Sequence, residues 1–184
     1  MKIVGISGTL VGSKTSLIVK KQLEELKEQR PSYEIEFIDL KDYTLDFCDG
    51  RTIDQYSDDT KKVIQLCEEA DGFLIGTSIL HGSMPGVLKN LFELVPIQAF
   101  TGKVVAFSAS SGNPYHYLAI ENYVKPVANY LGMYILPAYF YSIPSDFNPQ
   151  NEFATPEKEQ ELKDFVASYD QFLRTLTQKN EVKT

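Results

Sequence analysis

Three short runs of small hydroxyl residues and glycine are where this chain could do chemistry. The first, Ser7-Gly8-Thr9-Leu10-Val11-Gly12-Ser13-Lys14-Thr15-Ser16, leads from an apolar run into a helical pattern. The second spans Thr77 to Pro85 and holds Ser78, His81, Gly82 and Ser83; the third is Ser108-Ala109-Ser110-Ser111-Gly112-Asn113. In the first run the hydroxyls, the Lys14 ammonium and the free N–H groups of a helix N-terminus are together enough to hold a phosphate dianion. An ordinary N-cap with turn residues would use the same letters, so the run needs a context that selects between the two.

Other chemistries fit these residues less well. Gly8-x4-Ser13-Lys14-Thr15 is nearly a nucleotide-triphosphate P-loop, but serine replaces the second glycine, whose freedom lets backbone wrap the phosphates. Such an enzyme also needs an acid at the carboxyl end of a core strand to hold magnesium. Here those strands end Thr77-Ser78 and Ser108-Ala109-Ser110, and Asp39 ends a strand that reads as peripheral. Two histidines, His81 and His116, and two distant cysteines, Cys48 and Cys67, are too few for a metal site. No G-x-S-x-G elbow supports a serine hydrolase.

The elements that position these runs alternate between strand and helix. Lys2 to Ser7 predicts a first strand, and Ser13 or Lys14 to about Gln29 a helix carrying Leu17, Ile18, Leu23 and Leu26. Tyr33 to Leu40 alternates with period two, as a wetter edge strand does, and a helix through Val63, Ile64 and Cys67 follows. Phe73-Leu74-Ile75 reads as a strand buried on both faces, leading into a helix with Val87, Leu88, Leu91, Phe92 and Val95. Lys103 to Ala109 is a fourth strand and Pro114 to Leu131 a fourth helix. Met133 to Tyr141 is a fifth strand, with Pro137 marking an edge or a bulge, and a long last helix starts at Thr155-Pro156. Parallel neighbours need helical crossovers, so five such units predict an α/β, doubly wound five-stranded parallel sheet of order 2-1-3-4-5. In that order the loops after strands 1, 3 and 4, the three hydroxyl-rich runs, converge at one switch point. A single domain over 1–177 and a disordered tail over 178–184 are expected.

Around the third strand, His81-Gly82-Ser83, Gly86 and Leu88-Lys89-Asn90 resemble the P-x-Y-H-G-S…S-G-x-L-K-N motif of the flavodoxin-like NAD(P)H-dependent FMN reductase family. Ser78 stands where that family has Pro, and Leu80 where it has Tyr. The first run is similar in kind to the family's G-S-x-R-x-x-S-x-[ST] loop, shortened and without its arginine. The resemblance, which covers roughly Lys2 to Leu131, implies that Thr9, Ser13, Lys14 and Thr15 hold the FMN phosphate. It implies that Ser78, Ile79, Leu80, His81 and Gly82 line the flavin ring, and that Ser110, Ser111 and Gly112 meet its polar edge. It further implies NADPH or NADH as hydride donor, a small-molecule electron acceptor (free flavin, a quinone, an azo compound or another), and a homodimer or homotetramer. No side chain is required as acid or base, because the flavin carries the chemistry. A flavodoxin-type electron carrier is the first alternative; it calls for a Tyr or Trp sandwich over the flavin, and the chain has no Trp. The degenerate P-loop enzyme is the second.

Composition agrees. The chain has 184 residues with 43% hydrophobic content, enough for one substantial core, and a net charge of −7 argues against nucleic acid. MKIVGIS is neither a signal peptide nor a membrane span, and unpaired cysteines suit a reducing compartment, so a cytoplasmic protein without a membrane partner is expected. A tyrosine-rich stretch including Tyr115, Tyr117, Tyr123, Tyr130 and Tyr134 is divided between core and a subunit interface.

Overall fold

The computed structural model describes residues 1–181, with side chains through Thr177. The tail expected over 178–184 lies outside the described residues, apart from the backbone of the last helical turn. The strands are β1 (Lys2–Ser7), β2 (Glu34–Asp39), β3 (Gly72–Ser78), β4 (Val104–Ser110) and β5 (Tyr134–Ser142). The helices are α1 (Lys14–Gln29), α2 (Asp58–Glu69), α3 (Gly86–Leu94), α4 (Lys125–Tyr130) and α5 (Pro156–Glu181). All neighbouring strands are parallel and lie in the order β2-β1-β3-β4-β5, the doubly wound order expected of the alternation.

Each strand alternates its side chains between two cores. Ile3, Leu74, Val104 and Ala106 face α1 and α5, meeting Ile18, Val19, Leu23, Phe165 and Tyr169. Val4, Ile6, Phe73, Ile75 and Phe107 face α2, α3 and α4, meeting Ile64, Leu88, Leu91 and Val124. The central strands are buried on both faces, whereas β2 is only half-buried over most of its length, as its period-two pattern predicts. The other edge, β5, shifts register against β4 between Val105 and Phe107, beside Pro137, which cannot donate to the ladder.

Close approach of α1 to the sheet sets the geometry of the first loop. A Cβ at Gly76 would lie 2.5 Å from Val19 Cγ2 and 3.0 Å from Thr15 Cγ2, so only glycine lets α1 seat this tightly across β3. The N-terminus of α1 is thereby held at the switch point between β1 and β3. Its far end is tied to α5 by Asp170, whose carboxylate accepts from Arg30, Arg174 and the Tyr33 hydroxyl.

The fourth helix expected over Pro114 to Leu131 starts later and is not uniform. Turns occupy Pro114 to Tyr117, helical backbone begins at Leu118, Ile120–Val124 is a π-helical turn, and α structure resumes over Lys125–Tyr130. Pro126 explains the change: it lacks the amide that would close an α-helical bond to Asn122, and the chain widens into a π turn ahead of it. At the start of α5 the Thr155 hydroxyl accepts from the Lys158 amide at 3.3 Å, the cap read from its Thr-Pro start.

Candidate functional site

The carboxyl ends of β1, β3, β4 and β5 surround a cleft of about 200 Å³. From the first loop it takes Val11, Gly12 and Lys14; from the end of β3, Ser78, Ile79 and Leu80; and from the end of β4, Ser110, Ser111 and Gly112. The loops are tied to one another. Ile79 N–H donates to Ser110 C=O at 3.0 Å, and Ser111 N–H donates to Ser142 C=O at 3.1 Å. Gly8 N–H donates to Gly76 C=O at 2.8 Å, fastening the first loop to β3.

The expected hydroxyls divide into two sets. Thr9 is fully buried; its hydroxyl accepts from Ser78 at 2.8 Å and from Val11 N–H at 3.1 Å. Thr15 is also buried, with its hydroxyl 2.8 Å from that of Ser110. Both therefore brace the loops. Ser13 is exposed at the N-cap of α1 and its side chain makes no capping hydrogen bond, so the first-turn amides keep their donors free of that partner.

Lys14 lines the cleft. Its ammonium donates to Asn151 Oδ1 and lies 4.4 Å from the centre of the Phe147 ring. Lys41, in the turn after β2, brings a second ammonium to the same loop by donating to Gly12 C=O. An overall acidic chain thus places two cations beside one helix N-terminus, where field and free donors already favour an anion.

His81 and Gly82 stand at the tip of a tight turn rather than in the cleft wall. Leu80 and Ser83 exchange both backbone hydrogen bonds (2.9 and 3.0 Å), and the two residues between them take φ of 49° and 82°. That reversal requires left-handed backbone at both central positions, which glycine provides and histidine tolerates. Leu80, at its base, is 36% exposed, so it is a surface side chain of the cleft and not core. Ser111 Oγ lies 3.3 Å from His116 Nδ1 and accepts from Asn113 N–H at 3.3 Å.

A fourth wall comes from residues that sequence reasoning did not single out. Ser142 at the end of β5, then Ile143, Pro144 and Phe147, close the cleft opposite the first loop. Ser142 Oγ is buried without a hydrogen-bond partner. Nothing local marks these positions, since the segment reads as a polar connection between a strand and a helix. Lys41 was hidden similarly, as one charge among others after an edge strand.

A larger groove of about 910 Å³ lies between α3 and α4, lined by Phe92, Pro96, Pro126 and Tyr130. Its lysine and glutamate, Lys89 and Glu93, pair with each other. Size here does not coincide with chemistry. Among the described residues no group of His, Cys, Asp or Glu is arranged to hold a metal ion, and no helix is long and apolar enough to cross a membrane.

Comparison with known proteins settles the family. The model of the NADPH-dependent FMN reductase family matches residues 1–148. This chain belongs to that family. A curated relative, the NAD(P)H-dependent FAD/FMN reductase of Geobacillus thermodenitrificans, is 47% identical over 157 residues, 85% of each chain. Among solved structures, the flavoenzyme NAD(P)H:(acceptor) oxidoreductase of Paracoccus denitrificans superposes with a TM-score of 0.76 at 18% identity, covering 95% of this chain and 97% of that one. A flavodoxin from the domain Archaea superposes with a TM-score of 0.65 at 13% identity over 95% and 99% of the two chains. These two likenesses speak to the fold, which is flavodoxin-like. Family membership makes the chain an NAD(P)H-dependent oxidoreductase working with FMN, and displaces the P-loop reading.

The cleft of this reductase fits that cofactor. The α1 N-terminus, Ser13 and the two ammonium groups suit a phosphate. Ile79, Leu80, Ile143 and Pro144 supply apolar surface for a planar ring system, and the unpartnered Ser142 hydroxyl offers a buried polar contact.

Proposed function

We propose that the cleft holds FMN with its phosphate at the α1 N-terminus and its ring beside Ile79 and Leu80, and that the enzyme moves electrons from NADPH or NADH to a small-molecule acceptor. Free flavin, a quinone and an azo compound are the acceptor classes this reading favours. FMN, when bound, supplies the hydride-accepting and electron-donating chemistry. The protein supplies position and electrostatics. Ser13, Lys14 and the first-turn amides of α1 take the phosphate, while Thr9 and Thr15 hold the loop in shape through Ser78 and Ser110. Ser110, Ser111 and Gly112 face the polar edge of the ring, where donors stabilise negative charge on it. Ser78 sits at the floor, and His81 and Gly82 form the rim turn.

The observation that carries this reading is the meeting of an uncapped helix N-terminus with a cleft-lining lysine that no carboxylate of the described residues pairs. Exposed Tyr115, Tyr123, Tyr130 and Tyr134, with Leu118, support a homodimer or homotetramer in solution. Both cysteines are free thiols, which supports a cytoplasmic location.

A flavodoxin-type carrier shares the fold but never meets nicotinamide, and it would be expected to cover its flavin with aromatic rings. Leu80 leaves one face uncovered, as a hydride donor needs. The experiment is aerobic oxidation of NADH and NADPH by the purified chain with and without added FMN. Turnover supports the reductase, and FMN binding without nicotinamide oxidation would instead indicate the carrier.

A further inference from the structure

We propose that the hairpin 146–154, between β5 and α5, is a clasp that aims the Lys14 ammonium into the cleft, with Asn151 and Phe147 as positioning residues for the phosphate end of the cofactor. This rests on the reading that Lys14 meets the FMN phosphate. It extends the site into a part of the chain that the family motifs do not reach.

The hairpin is firmly built. Phe147 and Phe153 pair as an antiparallel bridge, Asn148 N–H donates to Glu152 C=O at 2.9 Å, and Ala154 N–H donates to Asp146 C=O at 2.8 Å. The Asn148 amide oxygen accepts from Gln150 and Glu152 N–H, and its amide nitrogen holds the Glu152 carboxylate at 3.0 Å. Phe153 packs edge-on against Phe140 of β5, with ring centres 6.0 Å apart, and Phe147 stacks on Phe153 at 5.3 Å. Lys158 of α5 ties the base to Tyr141 C=O at 2.6 Å and lies near Asp146. The frame is anchored to the core, and its tip is therefore a fixed platform.

At that tip Asn151 takes φ of 65°, a left-handed backbone that asparagine tolerates better than most residues. Its side-chain oxygen receives Lys14, and the Phe147 ring face lies under the same ammonium. Both holders are uncharged. Lys2, Lys89 and Lys125 are each paired with a glutamate, whereas no carboxylate of the described residues pairs with Lys14. A flexible lysine is thus fixed in direction without losing its charge. An ammonium has three donors, and the amide oxygen takes one of them, leaving others for an anion. Independently, the buried and unpartnered hydroxyl of Ser142, at the end of the strand that leads into this segment, lines the same cleft.

The test titrates FMN and riboflavin, by quenching of flavin fluorescence, into the wild-type apoprotein and five variants: Lys14→Gln, Asn151→Gly, the double variant of these two, Asn151→Asp and Phe147→Leu. Glycine keeps the left-handed backbone while removing the amide. Pre-ordering a charged contact contributes modestly, so Asn151→Gly should raise the FMN Kd about threefold to tenfold and leave that of riboflavin unchanged. In the double variant the loss should be no greater than in Lys14→Gln alone, because Asn151 acts through Lys14. Asn151→Asp should weaken FMN further in a salt-dependent way, since a carboxylate would neutralise the ammonium. If Lys14→Gln collapses the preference for FMN over riboflavin while Asn151→Gly and Phe147→Leu, both folded by circular dichroism, leave it intact, the clasp is wrong and the phosphate assignment stands. If Lys14→Gln itself leaves the preference intact, the phosphate assignment fails and takes the clasp with it.

Discussion

The hydroxyls of Thr15 and Ser110 lie 2.8 Å apart across 95 residues of sequence, joining the first turn of α1 to the carboxyl end of β4. Ser78 and Thr9 make the matching link at 2.8 Å between β3 and the first loop. Thr9 and Thr15, read in the sequence as phosphate ligands, pair with Ser78 and Ser110, read as flavin contacts, and the pairs brace the three loops around the cleft.

Thr15→Val should separate bracing from ligation. Valine keeps the shape and removes the hydroxyl, leaving Ser110 half-buried and able to find water. A single neutral hydrogen bond of this kind contributes about 1 kcal/mol net, so the unfolding free energy from a urea titration should fall by about that amount. FMN affinity should change little. A large loss of FMN binding without loss of stability would place the Thr15 hydroxyl on the cofactor.

Lys14→Glu should weaken FMN binding without unfolding the protein. A carboxylate would replace an ammonium beside a dianion, yet acid in the first turn of a helix is favourable to the helix itself. The thermal midpoint should stay within a few degrees while the FMN Kd rises at least tenfold, most strongly at low salt. Unchanged affinity and an unchanged salt dependence would make Lys14 a solvated charge.

The sheet was legible because buried parallel strands write themselves as short apolar runs. β1 runs over Lys2–Ser7 as read, and the strand order follows from the helical crossovers and the chain's length. The three hydroxyl-rich loops were also legible, since doubly wound sheets gather such loops at their switch point. What could not be read was the direction of each hydroxyl. Thr9 and Ser13 differ in burial because Gly8 is drawn onto β3, a tertiary contact with no local signature. The fourth wall was equally hidden, because Phe147 and Asn151 matter only once their hairpin is folded against Lys14. The fourth helix does run past Pro126 as read, and what the sequence did not show was its later start and the π turn ahead of that proline, where the missing amide decides the local geometry.

The two cysteines should react very differently in the folded protein. Cys48 is exposed, whereas Cys67 is fully buried on α2 and burial pushes its thiol up to about 12. At pH 8 Cys67 therefore stays protonated as well as inaccessible, and thiolate is the reactive form. Iodoacetamide should add one label to the native protein and two after denaturation, by mass spectrometry. Rapid labelling of Cys67 under native conditions would mean that α2 opens on the timescale of the reaction.

Leu80→Tyr should tighten the hold on flavin. Leu80 is 36% exposed in the cleft wall, so a larger ring there meets solvent rather than a packed core, and overpacking is not expected. Aromatic contact contributes about 1 kcal/mol beyond apolar burial, which corresponds to a roughly two- to tenfold lower FMN Kd. The added contact should slow flavin dissociation while leaving reduction by NAD(P)H nearly intact, because no proton or hydride passes through this side chain. Stopped-flow dissociation and the thermal midpoint, measured on the same variant, decide the point. Slower release at an unchanged midpoint places residue 80 against the ring, and a lower midpoint with unchanged FMN affinity would show that the side chain never touches it.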